Sequence, residues 1–510
     1  MITVCIIYPF PLNIQEKCSY SNIGDFMNDS LKELLSGLKQ TFADSADLTV
    51  RELSLRSDTG LEAAVVTMEG MCDKEQLGQT VLTPLLSFDF GRDSGEEAAD
   101  AVLHSVLASS DIIEFSDEQQ LISFITSGFA ALLIDGCARG FAIGVQGFAF
   151  RSVSEPESEV VQRGSREGFT EPLRVNMSML RRRIKSPDLV FEQMTVGSDS
   201  QTQLMLCYLQ NKASPALLDT LRKRLSECDL ETVLASGYLS DYLEDPGTSR
   251  LFSGVGISER PDTVCGKLTE GRIAVIVDGT PAVITIPHLF VEEFQGVDDY
   301  SNRTYYAAFI RVLKYIAFFA SVFLPGLYTA LAQFHPEYFP TWILIQTSEA
   351  LSKTPLPVTL EVLMMTFVYE VMKEAGLRIP KSLGHAVSIV GALVIGESAV
   401  NAGIISASTL MVVATAAICS YVTSALYPPI MTLRFVFIIA GGLLGLWGIV
   451  LVTAVVIISM CAKTSLGVPY MSSLAPFSLR SMRDVFIRAG WKRLSDRTIN
   501  VRNFPETEVR

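Results

Sequence analysis

Charge is what the last third of this chain lacks: from residue 382 to 462, Glu397 and Arg434 alone are Asp, Glu, Lys or Arg. So apolar a stretch belongs in lipid, whereas everything before about residue 315 reads as water-soluble. Concentrated basic surface is also missing. The formal net charge is -14, which argues against nucleic-acid binding, since phosphate recognition needs clustered Lys and Arg. The 9 cysteines show neither CxxC nor zinc-ligand spacing, which suits a reducing compartment and argues against a metal site. The four histidines, His104, His288, His335 and His385, sit in unrelated contexts, and neither HExxH nor GxSxG occurs. The chain therefore reads as no enzyme, with no cofactor. Residues 1–13 lack a basic leader and are broken by Pro9 and Pro11, so they make a poor signal peptide and the soluble half is expected in the cytoplasm.

What is present is a set of apolar runs of spanning length. Roughly 20 residues at about 1.5 Å each cross the hydrocarbon. Residues 315–334, 385–404, 407–427 and 435–460 meet that test, and aromatic residues stand near their ends, where amphipathic rings are stable. Basic residues flank the first span (Arg303, Arg311, Lys314) and follow the last (Lys463 onward). Four spans place both flanks in the cytoplasm. The intervening stretch 357–375 is apolar yet carries Glu361, Glu370 and Glu374, and it reads as a re-entrant or interfacial helix.

Ahead of the membrane lies an internal repeat. Gly128-Phe-Ala-Ala-Leu-Leu-Ile-Asp-Gly136 aligns with Gly271-Arg-Ile-Ala-Val-Ile-Val-Asp-Gly279 further along the chain. Each is a strand, an Asp-Gly turn and a second strand. Upstream, residues 63–70 resemble 204–211, at nearly the same offset and each preceding a helical stretch. The fold class is thus α/β plus α-helical membrane: two tandem α/β cytoplasmic subdomains, then a polytopic helical transmembrane domain of about four spans plus the re-entrant or interfacial helix. The expected divisions are an extension 1–30, subdomains 31–150 and 189–295 joined by a charged connector 151–188, a membrane domain 296–462 and a basic tail 463–510.

Candidate functional residues follow from charge in unusual places. An acid in an apolar span must face water, a partner or a proton. Glu397, with Ser398 beside it and Asn401 one turn on, would form a polar stripe able to line a cation path, or a clasp to a neighbouring helix. Glu361 and Glu370 are rival candidates, but nine residues apart they leave a helix on opposite faces. In the connector, Arg163, Arg166, Glu167, Arg181, Arg182 and Arg183 read either as a solvated run or as subunit contacts. Gly441, Gly445 and Gly448 give small-residue spacing for close helix packing. Pro325 inside the first span frees a backbone carbonyl.

Several of these words together resemble the GerA family, the A subunits of the spore germination nutrient receptors. They are Arg163-Gly-Ser-Arg-Glu-Gly-Phe-Thr-Glu171, Arg181-Arg-Arg-Ile-Lys185, Glu259-Arg-Pro-Asp262, Asp298-Asp-Tyr300, Phe334-His335, Glu374-Ala-Gly376 and Gly467-Val-Pro-Tyr470. Ser165 and Ser258 depart from the family pattern. The resemblance implies a multi-pass protein of the spore inner membrane whose soluble region and tail are cytoplasmic. It implies partners too: a transporter-like B subunit that senses nutrient, a lipoprotein C subunit, further copies of the chain as a homo-oligomer, and membrane lipid, with no nucleic acid. The implied function is to form or gate a cation channel that opens when nutrients are sensed. The alternative is a scaffold or signal-transducing subunit that conducts nothing.

Overall fold

The computed structural model describes residues 30–490 apart from 56–60, 89, 91–94, 108–110, 148–155, 157–158, 160, 162, 248, 379–396, 476 and 478–480. The expected extension (all but residue 30), most of the expected span 385–404 and the end of the tail lie outside the described residues. The chain divides into two compact units, Met1–Val153 with Pro172–Gln193, and Ser154–Glu171 with Met194–Arg510. The expected connector 151–188 is thus shared between the units rather than standing apart.

In the first unit, α1 (Leu31–Thr41) precedes β1 (Leu48–Ser54) and β2 (Glu62–Met68); β3 (Ile112–Phe115), α2 (Glu118–Thr126), β4 (Ala130–Ile134) and β5 (Gly140–Ile143) follow. The sheet runs β1-β2-β4-β5-β3 with antiparallel pairs throughout. Its central strands β2, β4 and β5 are buried on both faces because both are covered. Ala63 and Val65 pack with Leu85, Ala98 and Val102 on one side, while Ala64 and Val66 pack with Leu35 and Leu38 of α1 and Leu121 and Ile125 of α2 on the other. Helix α3 (Leu173–Arg183) belongs to the same unit.

A second sheet repeats this order. Strands β6 (Leu189–Val196), β7 (Thr202–Leu209), β8 (Gly256–Ser258), β9 (Ile273–Val277) and β10 (Val283–Ile286) run β6-β7-β9-β10-β8, with α4 (Pro215–Ser226) after β7 and α5 (Pro261–Thr269) before β9. The register repeats as well, Ala63 opposite Ile134 in one sheet and Leu204 opposite Val277 in the other. Both hairpins turn at the Asp-Gly pairs: Gly136 has φ 70 and Gly279 φ 84, a conformation that glycine adopts without steric cost. The duplicated hairpin expected from sequence is therefore present twice.

The helical region follows: α6 (Thr304–Phe334), α7 (Thr341–Ser352), α8 (Val358–Arg378), α9 (Ala407–Val422) and α10 (Tyr427–Ala462). Among the described residues, two helices are long and apolar enough to cross a membrane, Thr304–Phe334 and Ser424–Ala462. Helix α9 is apolar but shorter, at 16 residues. Helix α6 begins at Thr304, well before the expected span, because hydropathy counting stops at charged side chains whereas a backbone hydrogen-bond ladder does not. The stretch read as re-entrant or interfacial is the regular helix α8, 21 residues long.

Candidate functional site in the helical region

Close packing of α6 on α10 sets the geometry. A Cβ at Gly326 would lie 2.6 Å from the Phe437 carbonyl oxygen, and one at Gly441 would lie 2.5 Å from that of Gly326, so only glycine lets these backbones touch. Gly445 meets a different demand: it carries φ 61 and ψ -144 inside α10 and breaks the helix beside Phe334. The expected small-residue face therefore combines a contact point at Gly441 with a kink at Gly445.

Pro325 has no N–H to give to the carbonyl of Ser321, four residues back. Arg434 of α10 takes that place, its Nε donating to the Ser321 oxygen at 3.0 Å. The same guanidinium donates through Nη2 to the Ala416 carbonyl of α9 at 3.3 Å and through Nη1 to Glu370 of α8 at 3.3 Å. Arg434 is 1% exposed. One planar cation thus ties four helices together, in a setting where an unpaired charge costs several kcal/mol. Tyr427 donates to the other Glu370 oxygen, and Lys373 lies over the Tyr427 ring. Sequence reasoning does not select Arg434 as a site residue, although its isolation in an uncharged stretch is the signal.

Glu361 leaves the opposite face of α8 and is 0% exposed. Its Oε2 accepts from Ser406 N at 3.2 Å, Ser406 Oγ at 3.1 Å and Thr409 Oγ1 at 2.9 Å. These donors belong to the first turn of α9 and the residue before it, where free amides and the helix dipole favour a carboxylate. Tyr328 of α6 reaches the same cluster through Ser408, at 3.0 Å. Ser406, which lies between the expected spans 385–404 and 407–427, is thus the cap of α9, its side chain accepting from Thr409 N.

Glu397, Ser398 and Asn401 are placed otherwise. They lie in and beside the single helical turn Ser398–Asn401, and all three are exposed. Glu361 and Glu370 are taken up within the helical packing; among the described residues, nothing covers the 397–401 face.

In the α/β part of the second unit, two of the sequence words meet. Phe169 N donates to the Glu259 carbonyl at 2.7 Å, and Arg260 Nη2 donates to that of Ser165 at 2.8 Å. Arg163 and Arg166 are exposed, whereas Glu167 is half-buried. In the first unit Arg181 is buried: its Nε and Nη2 fork onto Asp47 at 2.9 and 3.1 Å, and Nη2 also donates to the Leu189 carbonyl at 2.7 Å. Arg182 is half-buried and Arg183 exposed. Of the run 181–183, then, the first arginine is an internal tie.

A third cluster closes the second sheet. His288 faces Glu293 at 2.8 Å and Glu292 at 3.1 Å, and Glu292 pairs with Arg272 and Lys267. Burial pushes the His288 imidazole down, but the Glu293 carboxylate and hydrogen bonds to both acids outweigh it and hold the group up at about 9. Burial likewise pushes Glu292 up, yet Arg272 and Lys267 beside it hold it well below the ordinary 4.5.

Comparison with known proteins accounts for these shared words. Residues 36–499 match the family described as Bacillus/Clostridium GerA spore germination protein. The chain is 37% identical to spore germination protein KA of Bacillus subtilis (strain 168), covering 91% of this chain and 85% of that protein. It is 35% identical to the uncharacterized membrane protein YfkQ of the same organism, covering 91% and 90%. Among solved structures, it is similar to the N-terminal domain of the A subunit of the Bacillus megaterium spore germinant receptor GerK3, at 30% identity and TM-score 0.41, covering 51% of this chain and 96% of that one. The chain belongs to the GerA family of spore germination proteins.

Proposed function

We propose that this chain is the membrane-embedded A subunit of a spore germinant receptor, and that several copies surround an axis along which cations pass when a partner subunit senses nutrient. The observation that carries this reading is the contrast among the acids. Glu361 and Glu370 are each held by hydrogen bonds inside the helical packing, through Oε2 alone in Glu361, while Glu397, Ser398 and Asn401 present a polar face left uncovered among the described residues. In lipid such a face needs water or another subunit, and a ring of carboxylates around water favours positive ions. In this reading the chain is multi-pass in the spore inner membrane with its soluble region and tail in the cytoplasm, works with a transporter-like B subunit and a lipoprotein C subunit, and uses exposed arginines such as Arg163, Arg166 and Arg183 at subunit contacts.

The test is cation efflux from liposomes holding the purified chain, alone and with its B and C partners. Efflux that follows nutrient addition supports conduction. Assembly of all three subunits without efflux would instead identify a non-conducting scaffold.

A further inference from the structure

Of the basic residues that flank the first span, Arg303 is exposed, but Arg311 and Lys314 are not a solvated flank. Arg311 is 0% exposed. Its Nε and Nη2 donate to Asp299 Oδ2 at 3.0 and 2.9 Å, and its Nη1 donates to Asp484 Oδ1 at 2.7 Å. Lys314 is turned back onto the Phe294 carbonyl at 3.2 Å. With those charges neutralised or turned inward, the outer face of early α6 is apolar. Tyr305, Phe309, Val312, Ile316 and Phe319 are all exposed, and their four-three spacing draws one stripe along the helix that continues without a break into the span. Tyr305 is 71% exposed. The length of α6 bears on where this stripe sits, for the helix has 31 residues. At about 1.5 Å of rise for each, it measures roughly 46 Å against roughly 30 Å of hydrocarbon, so one end of α6 must lie among headgroups.

The segment 484–488 lies beside this stripe. Asp484 is held by Arg311 and by the Tyr300 hydroxyl at 2.6 Å, Val485 is buried, and Arg488 Nη1 donates to the carbonyls of Asp299 and Asn302 at 2.8 and 3.0 Å. Both ends being pinned inward, Phe486 and Ile487 are turned out. Ile487 is 63% exposed, and the Phe486 ring centroid is 4.8 Å from that of Tyr315.

We infer that Phe486 and Ile487, with Tyr305 and Phe309, form a lipid-seated anchor at the boundary between acyl chains and headgroups. Segment 484–488 then lies on the bilayer surface, and the lipid contact of α6 begins at Tyr305. Lipid is the occupant because the patch is continuous with the outward apolar surface of a spanning helix and its aromatics suit that depth. The inference rests on the membrane reading of α6 and α10.

The experiment uses the full chain in phosphatidylcholine/phosphatidylglycerol vesicles whose acyl chains are brominated near the glycerol end or near the methyl end. Tryptophan emission is compared between wild type and Ile487→Trp, with Phe486→Trp as a second reporter. Loss of the added emission in glycerol-end lipids, with less loss in methyl-end lipids, is the expected result. Leu234→Trp, on an exposed loop of the soluble part, should be quenched by neither. Added emission untouched by either lipid overturns the anchor and leaves the patch to water or to a second copy. Native Trp447, outward on α10, separates the two failures: if it too escapes quenching, the membrane reading itself is wrong.

Discussion

Arg434 fills the hydrogen-bonding place that Pro325 leaves vacant. Proline removes the donor from the Ser321 carbonyl, and the guanidinium of another helix supplies one at 3.0 Å. A residue that would break an isolated helix thereby becomes the point where α6 and α10 are locked, and Glu370 and the Ala416 carbonyl add α8 and α9 to the same lock.

Removing Arg434 therefore strands a buried carboxylate. Arg434→Met should destabilise the helical region by about 3–5 kcal/mol, and Glu370→Met in the same chain should recover much of the loss. Pro325→Ala returns a donor to Ser321, so it should reduce the cost of Arg434→Met, with a coupling of about 0.5–3 kcal/mol. Unfolding of these variants in mild detergent measures both effects. Additive losses would show that the three residues act independently.

At Gly441 the prediction is steric. Gly441→Ala places a methyl against the Gly326 carbonyl, with no flexible side chain to give way. It should cost about 1–3 kcal/mol and separate α6 from α10. A spin-label distance between the two helices reports the separation; an unchanged distance and stability would mean that the contact is loose.

How much of this is legible in the sequence depends on range. The two hairpins are, because apolar strands and Asp-Gly turns are local signals that leave period-two and turn signatures in the chain. So are the opposite faces of Glu361 and Glu370, which follow from helical spacing alone. Arg181 is not: in sequence it belongs to a charge run, and its partner Asp47 lies 134 residues away. The flank arginine Arg311 misleads for the same reason, since charge counting cannot see Asp484. Arg434 can be found by asking which group could satisfy a lone cation in an uncharged stretch.

Within the first unit, Arg181→Met leaves Asp47 buried at 2% exposure without its cation. A loss of about 3–5 kcal/mol is expected, against near-neutral effects for the exposed Arg183→Met. Thermal unfolding of the full chain compares them, and equal effects would deny the internal role of Arg181.

The His288 cluster makes the second unit sensitive to alkali. A histidine held at about 9 contributes stability that is fully present below its ordinary 6.5 and is lost as pH rises through 9. Glu292, held low, contributes stability that is present above 4.5 and is lost only as pH falls well below it. Stability of the wild type should thus decline between pH 6.5 and 9, and His288→Gln should flatten that limb. A limb of unchanged slope would assign the decline to other groups.

The most direct measurement is the reversal potential across a planar bilayer under a salt gradient, for the assembled receptor with wild-type chain and with Glu397→Gln. Conduction past the 397–401 face predicts a cation-selective current whose selectivity falls in the variant while assembly is kept, and Glu361→Gln should leave selectivity as it was. A wild-type current indifferent to Glu397, or no current from an assembled receptor that still responds to nutrient, would contradict it.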